Sequence, residues 1–406
     1  MGLAARVPRP SGPLLPKTSS RGLLVANLLA QLAFGLIAMT ICIPSMQEWG
    51  AIFGASQSSV QLTFSAYVVA YGGLQLLYGP LSDRLGRKKI LLFGLSLAGV
   101  GSALAAAAPD LTTLTAARVL QGAGSAAGMV VGRAIVQDLF QGPERTRVMA
   151  YVGMTMGLCP PLATILGGQL HVRLGWQANF ILIAGLSVLL WVAAWRGLPD
   201  HQPSAVVQPH WLRALLGSYA RLFREPVFPL YVLILAATTA TFYAFLAGAP
   251  VVLGSYGVGP DGIGVYVMSI PLSYILGNYL TSRLAHRMGE ARMMALGQTL
   301  TLGALAVVIG LALAGVNTPL ALALPLVVLG IGHGLIMPTA LAGTVGVMPA
   351  LAGSAAAVAG LAQQMMGAAG AYAVGLVDHR GALNLGWLMM GLAVCGLLAQ
   401  MRLHRR

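Results

Sequence analysis

Long runs of apolar residues recur along the whole chain and are separated mostly by short polar connections. Each run is about 20 residues long, the length at which an α-helix crosses a hydrocarbon layer of roughly 30 Å. Because most connections are short, consecutive helices should be antiparallel neighbours in an all-α membrane protein. The pattern predicts twelve spanning helices, at residues 23–45, 60–80, 90–108, 112–138, 148–170, 178–196, 227–249, 262–282, 293–315, 319–342, 354–377 and 383–402.

The longest polar connection follows the sixth predicted helix and divides the helices into two sets of six. This division suggests two repeats related by an axis along the membrane normal. Within the connection, residues 211–223 combine apolar and basic positions and should lie along the lipid surface. The predicted organisation is a basic cytoplasmic tail at 1–22, an N-terminal bundle at 23–196, a cytoplasmic central loop at 197–226, a C-terminal bundle at 227–402 and a cytoplasmic tail at 403–406.

Composition indicates that lipid is the main solvent of this protein. Hydrophobic residues make up 57% of the chain and charged residues only 8%, whereas soluble domains carry about 25% charged residues. The net charge is +14, and 20 of the 24 Lys and Arg fall on alternate predicted connections and at both ends. An excess of Lys and Arg marks the cytoplasmic side of a membrane protein. We therefore expect a multi-pass inner-membrane protein with both termini in the cytoplasm.

Other function classes lack the residues that they need. Nucleic-acid binding is disfavoured, because the basic residues form no stripe with interleaved aromatics outside the predicted helices. The three cysteines lie in separate apolar runs and the seven histidines are scattered, so no metal site or disulfide framework is predicted. Neither a catalytic nucleophile context nor a nucleotide-binding loop is found in the sequence. We expect no enzyme activity and no cofactor; a membrane enzyme or a receptor of the same architecture is the remote alternative.

Two motifs identify a resemblance to a known family. The connection after the second predicted helix reads GPLSDRLGRKK (79–89), and the fourth contains RVLQGAG (118–124). Both resemble motifs of the major facilitator superfamily, and within it the Bcr/CflA-type drug/proton antiporters look closest. The resemblance implies a monomeric secondary transporter that exports small amphipathic drugs or metabolites by proton antiport with alternating access. The stretches 43–87, 174–180, 249–264 and 334–343 extend it over most of the chain.

The first motif implies a conformational latch on the cytoplasmic side. Asp83 is at the C-terminal end of its predicted helix, where a carboxylate meets the negative end of the helix dipole and needs an outside partner. The resemblance suggests the N-terminus of the eleventh helix as that partner and pairs Arg87 with Asp138. Alternatively, the basic residues here only determine topology. The predicted latch residues are Gly79, Asp83, Arg84, Gly86, Arg87 and Asp138.

Two residues are candidates for proton coupling. Arg118 lies about 10 Å from the outer end of its predicted helix, a depth at which an unpaired arginine is costly. The resemblance implies that it takes part in proton coupling. The alternative is a structural role in which it packs against backbone carbonyls. All ten acidic residues fall in connections or at helix ends, and Thr40 stands where many relatives have Asp. His333 can exchange a proton near neutral pH, or it can serve as a neutral hydrogen-bonding group.

The predicted fifth helix resembles the antiporter motif through Pro160, Pro161, Gly167 and Gly168, although Thr164 stands where the family usually has Pro.

In the family fold, helices one, four, seven and ten line the central path. Aromatic and Met walls suit amphipathic ligands, and the lack of midplane carboxylates favours neutral or anionic compounds over cations. A facilitator of a specific metabolite, such as a sugar or nucleoside, is the alternative. The candidate cavity residues are Gln31, Thr40, Tyr71, Gln121, Phe242, Tyr243, Met337 and Gln364.

Overall fold

The computed structural model describes residues 18–199, 211–378 and 381–405, and within these ranges the chain is almost entirely helical. Predicted tail residues 1–17, the loop segment 200–210 and Arg406 lie outside the described residues. The helices are α1 Thr18–Thr40, α2 Met46–Phe53, α3 Gln57–Leu85, α4 Arg87–Ala106, α5 Leu111–Leu139, α6 Gly142–Leu174, α7 Gln177–Gly197, α8 Trp211–Arg224, α9 Phe228–Ser255, α10 Pro260–Val267, α11 Ser269–Met288, α12 Glu290–Leu313, α13 Pro319–Gly346, α14 Ala352–Val374 and α15 Ala382–His404, with a 3₁₀ turn at Pro349–Leu351.

The described chain crosses the membrane as the sequence predicts. Ten helical segments are long and apolar enough to span, and α10 and α11 together form one of them. The 33-residue α6 and the 23-residue α14 complete a set of twelve. The predicted all-α membrane fold is therefore confirmed. The short α2 is an additional element, since the apolar pattern predicts a connection at this stretch.

Local capping chemistry sets several helix ends. The Asp110 side chain accepts a hydrogen bond of 2.8 Å from the backbone N–H of Thr113 at the start of α5. Thr318 caps the start of α13 in the same way. Gly86 separates α3 from α4 with a φ of +98°, a conformation that favours glycine because it has no Cβ. These ends could be anticipated from residue type.

Glycines inside the spanning helices allow close backbone contacts. A Cβ added to Gly124 of α5 would lie 2.3 Å from the Ala98 backbone nitrogen of α4. A Cβ added to Gly122 would lie 2.4 Å from the Tyr67 carbonyl oxygen of α3. In lipid, where apolar burial does not drive helix association, such approaches supply the packing that holds helices together. The glycine-rich stretch of α5 is therefore a packing surface against α3 and α4.

Helices α1–α7 pack mainly among themselves, as do α9–α15, and the two groups meet through α3 with α14 and through α6 with α10 and α11. We call the side that carries the α3–α4 connection the basic face and the side that carries α2 the opposite face. At the opposite face the groups are in direct contact, because Gly168 of α6 abuts Pro260 and Gly375 abuts Ser58. Gln47 of α2 adds a hydrogen bond of 3.1 Å to the Val258 carbonyl.

Helix α8 connects the two groups at the basic face and packs against α14 and the start of α9. Its Leu222 is fully buried in a cluster with Phe228. Its Leu216 and Phe223 are exposed, as are Arg221 and Arg224. Exposed apolar and basic groups on one helix suit the boundary between headgroups and acyl chains. This position agrees with the lipid-surface placement expected from the sequence.

Candidate functional site

A cavity of about 640 Å³ lies between the two groups of helices. Such a volume is within the usual range for sites that bind drug-sized molecules. On α5 and α6 the lining residues lie nearer the end of the helix at the basic face, and on α3 and α14 they lie about the middle. The cavity is therefore central and extends towards the basic face. Its walls come from α1, α3, α5, α6, α9, α11, α13 and α14: Leu36, Tyr71, Gln75, Met129, Arg133, Gly153, Met154, Met156, Gly157, Pro160, Thr238, Thr239, Phe242, Tyr243, Ile270, Pro271, Tyr274, Ile275, Asn278, His333, Met337, Gly360, Gln363 and Gln364.

Aromatic rings and methionines form most of the apolar wall. The rings of Phe242 and Tyr243 have centroids 6.0 Å apart, and Phe64 meets Tyr243 edge-on at 5.9 Å. The Tyr243 hydroxyl donates a hydrogen bond of 3.0 Å to Gln364 Oε1. Flat rings and flexible thioethers can adapt to amphipathic ligands of varied shape. The wall is therefore suited to apolar molecules with a few polar groups.

Polar side chains also line the cavity, and most of them can both donate and accept hydrogen bonds. Gln363 Nε2 donates to Thr239 Oγ1 at 3.0 Å. The Tyr71 hydroxyl and His333 Nε2 are buried without a hydrogen-bond partner among the described residues. Within the same described part of the chain, Arg133 is the one lining side chain with a permanent charge, and no lining side chain is a carboxylate. The cavity therefore offers a ligand one cation, and two unpartnered polar atoms are buried in its lining residues.

The structure brings five of the eight predicted cavity residues into this wall: Tyr71, Phe242, Tyr243, Met337 and Gln364. It does not place Gln31, Thr40 or Gln121 there. Gln31 Nε2 donates to the Leu190 carbonyl of α7 at 2.9 Å, and Thr40 Oγ1 donates to the Leu36 carbonyl within α1. These side chains satisfy buried backbone groups inside their own bundle, so the expectation that they line the cavity is corrected.

Arg118 is fully buried and lies outside the cavity wall. Its Nη1 donates to the Ala38 carbonyl at 2.8 Å and to Gln121 Oε1 at 2.6 Å, and its Nη2 donates to the Met39 carbonyl at 3.3 Å. Helix α1 ends at Thr40, so these carbonyls belong to the last turn, where helical partners are missing. The guanidinium therefore caps α1 and places a positive charge at the negative end of its dipole.

The guanidinium of Arg118 also lies 4.3 Å from the ring centroid of Tyr67, whose hydroxyl donates to the Gly35 carbonyl at 2.7 Å. Gln121 Nε2 continues the network with a hydrogen bond of 2.8 Å to Ser102 Oγ on α4. The motif residues of α5 thus hold α1, α3 and α4 in register behind the cavity. This arrangement corresponds to the packing alternative that the sequence left open for Arg118.

The structure adds lining residues that sequence reasoning missed, among them Arg133, Thr238 and Thr239. Arg133 could have been predicted from the sequence, since an arginine within a spanning helix is expected to face a partner or a cavity. Met129 lies one turn before it on the same helix face and lines the same wall. The threonines gave no comparable signal, because Thr satisfies its own hydroxyl in a helix: Thr238 and Thr239 donate to the Ile234 and Leu235 carbonyls.

Most of the predicted latch residues cluster at the basic face. Arg87 forms an ion pair with Asp83, and its Nε donates to Asp138 Oδ2 at 3.2 Å. Its Nη1 donates to Ser82 Oγ at 2.7 Å. Gly86 supplies the turn before Arg87, and Gly79 lies beside Val130 of α5, where an added Cβ would be 3.7 Å away. The partner at the start of α14 that the resemblance suggests for Asp83 stays a prediction.

The four residues of the antiporter-like motif lie in α6, the two prolines near the cavity and the two glycines nearer the opposite face. Pro160 and Pro161 are inside the helix, and the Pro160 carbonyl accepts a hydrogen bond of 2.8 Å from Thr164 Oγ1. Gly167 and Gly168 lie nearer the opposite face, where added Cβ atoms would be 1.8 Å from the Ile41 carbonyl oxygen and 2.2 Å from that of Pro260. The two glycines therefore make the close contacts of α6 with α1 and, across the bundle boundary, with α10.

Comparisons with known proteins agree with this architecture. The family described as Major Facilitator Superfamily matches residues 23–371. Multidrug resistance protein D of Escherichia coli (strain K12) is 28% identical over 375 residues, covering 91% of this chain and 93% of that protein. The chloramphenicol resistance protein of Pseudomonas aeruginosa is 30% identical over 282 residues, covering 68% and 65%.

Among solved structures, a bacterial homologue of the human lysosomal transporter Spinster, in an inward-facing and unoccupied conformation, has a similar fold. It superposes with a TM-score of 0.77 at 14% sequence identity, and the match covers 96% of this chain and 97% of that chain. At this identity, the similarity concerns the fold alone.

Proposed function

Because this chain belongs to the Major Facilitator Superfamily and is a multi-pass membrane transporter, we propose that it exports small amphipathic antimicrobials in exchange for protons. The observation that carries this proposal is the central cavity of about 640 Å³ between the two groups of helices. Helix contacts close it at the opposite face, and it extends from the centre of the molecule towards the basic face. A site that opens to one side at a time is what alternating access requires.

We infer that the basic face is cytoplasmic, with both termini on it, because Lys and Arg concentrate on cytoplasmic connections. The conformation described here would then be the one that loads substrate from the cytoplasm, as an exporter needs. All eight wall helices belong to one chain, so a monomer is sufficient to transport. The N-terminal and C-terminal bundles at 23–196 and 227–402 would be the two moving bodies.

Chloramphenicol is the substrate that we favour for a first test. It is neutral and amphipathic, and the cavity combines an aromatic and methionine wall with amide and hydroxyl groups but has no carboxylate among its described residues. The names of two similar proteins support this choice, since one is a chloramphenicol resistance protein and the other a multidrug resistance protein. Lipophilic cations lack a counter-charge in such a wall.

Transport in proteoliposomes tests this function directly. With a pH gradient imposed, purified protein should move chloramphenicol faster than protein-free liposomes do, and collapsing the gradient should remove the excess. Transport that continues unchanged without the gradient would instead support a facilitator, and uptake of sugars or nucleosides alone would support the metabolite alternative. Absence of flux for every compound in both conditions would contradict the proposal.

We propose that His333 exchanges the coupled proton. It lines the cavity, is 3% exposed, and its Nε2 has no partner among the described residues. Arg118, the other sequence candidate, lies outside the cavity wall, and both of its Nη atoms donate to backbone carbonyls or to Gln121. Its contribution would be to position α1. Of the two candidates, His333 is therefore the one that lines the cavity and has an unpartnered ring nitrogen.

A His333→Gln variant should keep chloramphenicol counterflow, which needs no proton, and lose acceleration by the pH gradient. The glutamine preserves hydrogen-bonding capacity but cannot titrate in the physiological range. Paired measurements of counterflow and gradient-driven transport check the prediction. Full gradient-driven transport by His333→Gln would end the coupling proposal and leave His333 as a neutral hydrogen-bonding group.

A further inference from the structure

Arg133 is an arginine inside a spanning helix that has almost no protein partner. It lies six residues before the end of α5, about 9 Å along the helix from the basic face. Its Nη2 lies 3.2 Å from the Met156 sulfur, and among the described residues no carboxylate or carbonyl accepts a hydrogen bond from it. A thioether is a weak acceptor, whereas a guanidinium carries five N–H donors. Most of its hydrogen-bonding capacity is therefore unused.

Arg118, fifteen residues earlier on the same helix, shows the contrasting case. It is fully buried, and its Nη1 and Nη2 donate three hydrogen bonds, to two carbonyls and an amide oxygen. Arg133 instead has an exposed surface within the cavity. An arginine at membrane depth is costly unless it meets a partner or water. The missing partner of Arg133 must therefore be water or a ligand inside the cavity.

The rest of the wall does not neutralise this charge. Within the described chain, no Asp or Glu lines the cavity. Tyr71 and His333 add a hydroxyl and an imidazole nitrogen without partners on the same wall. A ligand that brings a negatively charged oxygen would gain charge-assisted hydrogen bonds from a guanidinium, which are the stronger kind. A ligand that brings a positive charge would meet only repulsion from Arg133.

We propose that Arg133 is the specificity-determining residue of this cavity and binds the anionic oxygen of aromatic weak acids, such as carboxylates and phenolates. The substrate range then extends from neutral amphipathic compounds to organic anions and excludes lipophilic cations. This inference rests on the proposed function in that it uses the same cavity. It concerns binding, however, and does not require proton coupling.

Two xanthene dyes that share a ring system and differ in charge provide the probes: fluorescein, anionic at pH 8, and rhodamine 123, a cation. Fluorescence anisotropy measures their binding to the full chain purified in a neutral detergent.

Fluorescein should bind more tightly than rhodamine 123, and Arg133→Gln should weaken fluorescein binding by about tenfold through loss of the charge-assisted bonds. Equilibrium dialysis with radiolabelled chloramphenicol should show a much smaller change. Arg133→Lys keeps a point charge but lacks the planar fork, so its affinity for fluorescein should lie between those of the unmodified protein and Arg133→Gln.

Arg283→Gln is the matched control. Arg283 is an exposed arginine near the same face, on α11; it stacks at 5.5 Å on the Tyr279 ring and does not line the cavity. Its removal should leave the binding of both dyes unchanged. If Arg133→Gln and Arg283→Gln have equal effects on fluorescein, the binding reflects general surface charge and the proposal is overturned.

Other outcomes also decide the matter. An Arg133→Gln protein that binds chloramphenicol normally and fluorescein as tightly as the unmodified protein overturns the proposal. Tighter binding of rhodamine 123 than of fluorescein by the unmodified protein overturns it as well, and this comparison needs no variant. Absence of flux for every compound tested in proteoliposomes, with the charge preference of binding intact, would refute the proposed export function and leave this inference standing.

Discussion

At the scale of single residues, the two arginines of α5 show how surroundings decide a role that residue type leaves open. Arg118 and Arg133 are both inside a spanning helix, and both have the same reason to avoid lipid. Arg118 meets the carbonyls at the end of α1, and Arg133 meets the cavity. The first is therefore a structural cap, and the second is available to substrate.

Replacing Arg118 should destabilise the protein. An Arg118→Met change leaves the Ala38 and Met39 carbonyls and Gln121 Oε1 without their donor, and each unsatisfied buried group costs about 1–3 kcal/mol. Partial relaxation should reduce the total, so we expect the free energy of unfolding to fall by about 2–4 kcal/mol. Unfolding in mixed micelles of SDS and a mild detergent measures this.

Arg118→Lys provides the comparison, because it keeps the charge at the end of α1 but has fewer donors. Its stability should lie between those of the unmodified protein and Arg118→Met. If Arg118→Met were as stable as the unmodified protein but had lost only gradient-driven transport, the capping role would be wrong and the coupling role would be restored.

At the scale of helices, glycines of α6 determine how closely the two groups of helices meet at the opposite face. A Cβ on Gly168 would lie 2.2 Å from the Pro260 carbonyl oxygen, so Gly168→Ala cannot keep this contact without a backbone shift. We expect a population shift away from the conformation described here and a severalfold lower transport rate. In the Gly168→Ala variant, a cysteine placed at position 75 in the cavity should also react more slowly with a maleimide added from the basic face.

Gly185→Ala is the control for that experiment. Gly185 is in α7, and nothing lies within 4 Å of an added Cβ. Alanine is the better helix former by about 1 kcal/mol, so this variant should be neutral or slightly stabilised. Equal transport rates for Gly168→Ala and the unmodified protein would show that the α6–α10 contact does not govern the closing of this face.

The basic-face cluster gives a second prediction at the same scale. Asp83 pairs with Arg87 in its own bundle, and we propose that it exchanges this partner for the start of α14 when the face closes. Asp83→Asn removes the charge that favours a helix N-terminus. The maximal transport rate should fall severalfold, while chloramphenicol binding should stay unchanged because Asp83 does not line the cavity.

Glu144→Gln is the matched control, since Glu144 is a similarly exposed carboxylate that pairs with Arg21 at 3.5 Å. Exposed pairs of this kind contribute little, so transport should not change. A normal transport rate for correctly inserted Asp83→Asn would show that the basic residues around it only set topology, the alternative that the sequence left open.

At the scale of the whole molecule, the conformation described here predicts which side of the membrane can reach the cavity. With Cys42, Cys159 and Cys395 replaced by alanine, a cysteine at position 75 should react with a membrane-impermeant maleimide in inside-out vesicles and not in intact cells. Chloramphenicol should slow the reaction by occupying the cavity. A cysteine at the exposed Thr112 position, next to the α5 cap, should show the reverse sidedness. Labelling of position 75 only in intact cells would contradict both the proposed orientation and the proposed loading side.

The sequence by itself determined the solvent, the twelve crossings and several helix ends. These follow from local quantities: a hydrocarbon layer sets the length of an apolar run, and Asp110, Thr318 and Gly86 terminate helices through their own chemistry. The predicted bounds differ mainly where helices continue beyond the apolar run, as α3 and α6 do. The motifs likewise indicated the family, because their spacing is a property of the chain.

Only the tertiary structure decided which side chains face the cavity. A spanning helix is apolar on nearly all sides, so its sequence lacks the polar stripe that orients a helix in a soluble protein. Its rotation is set by packing, through close approaches such as that of Gly122 to Tyr67, and these depend on residues far apart in the chain. For this reason Thr40 and Gln31, which are polar and on a helix expected to line the path, are turned into their own bundle, while Arg133 reaches the cavity.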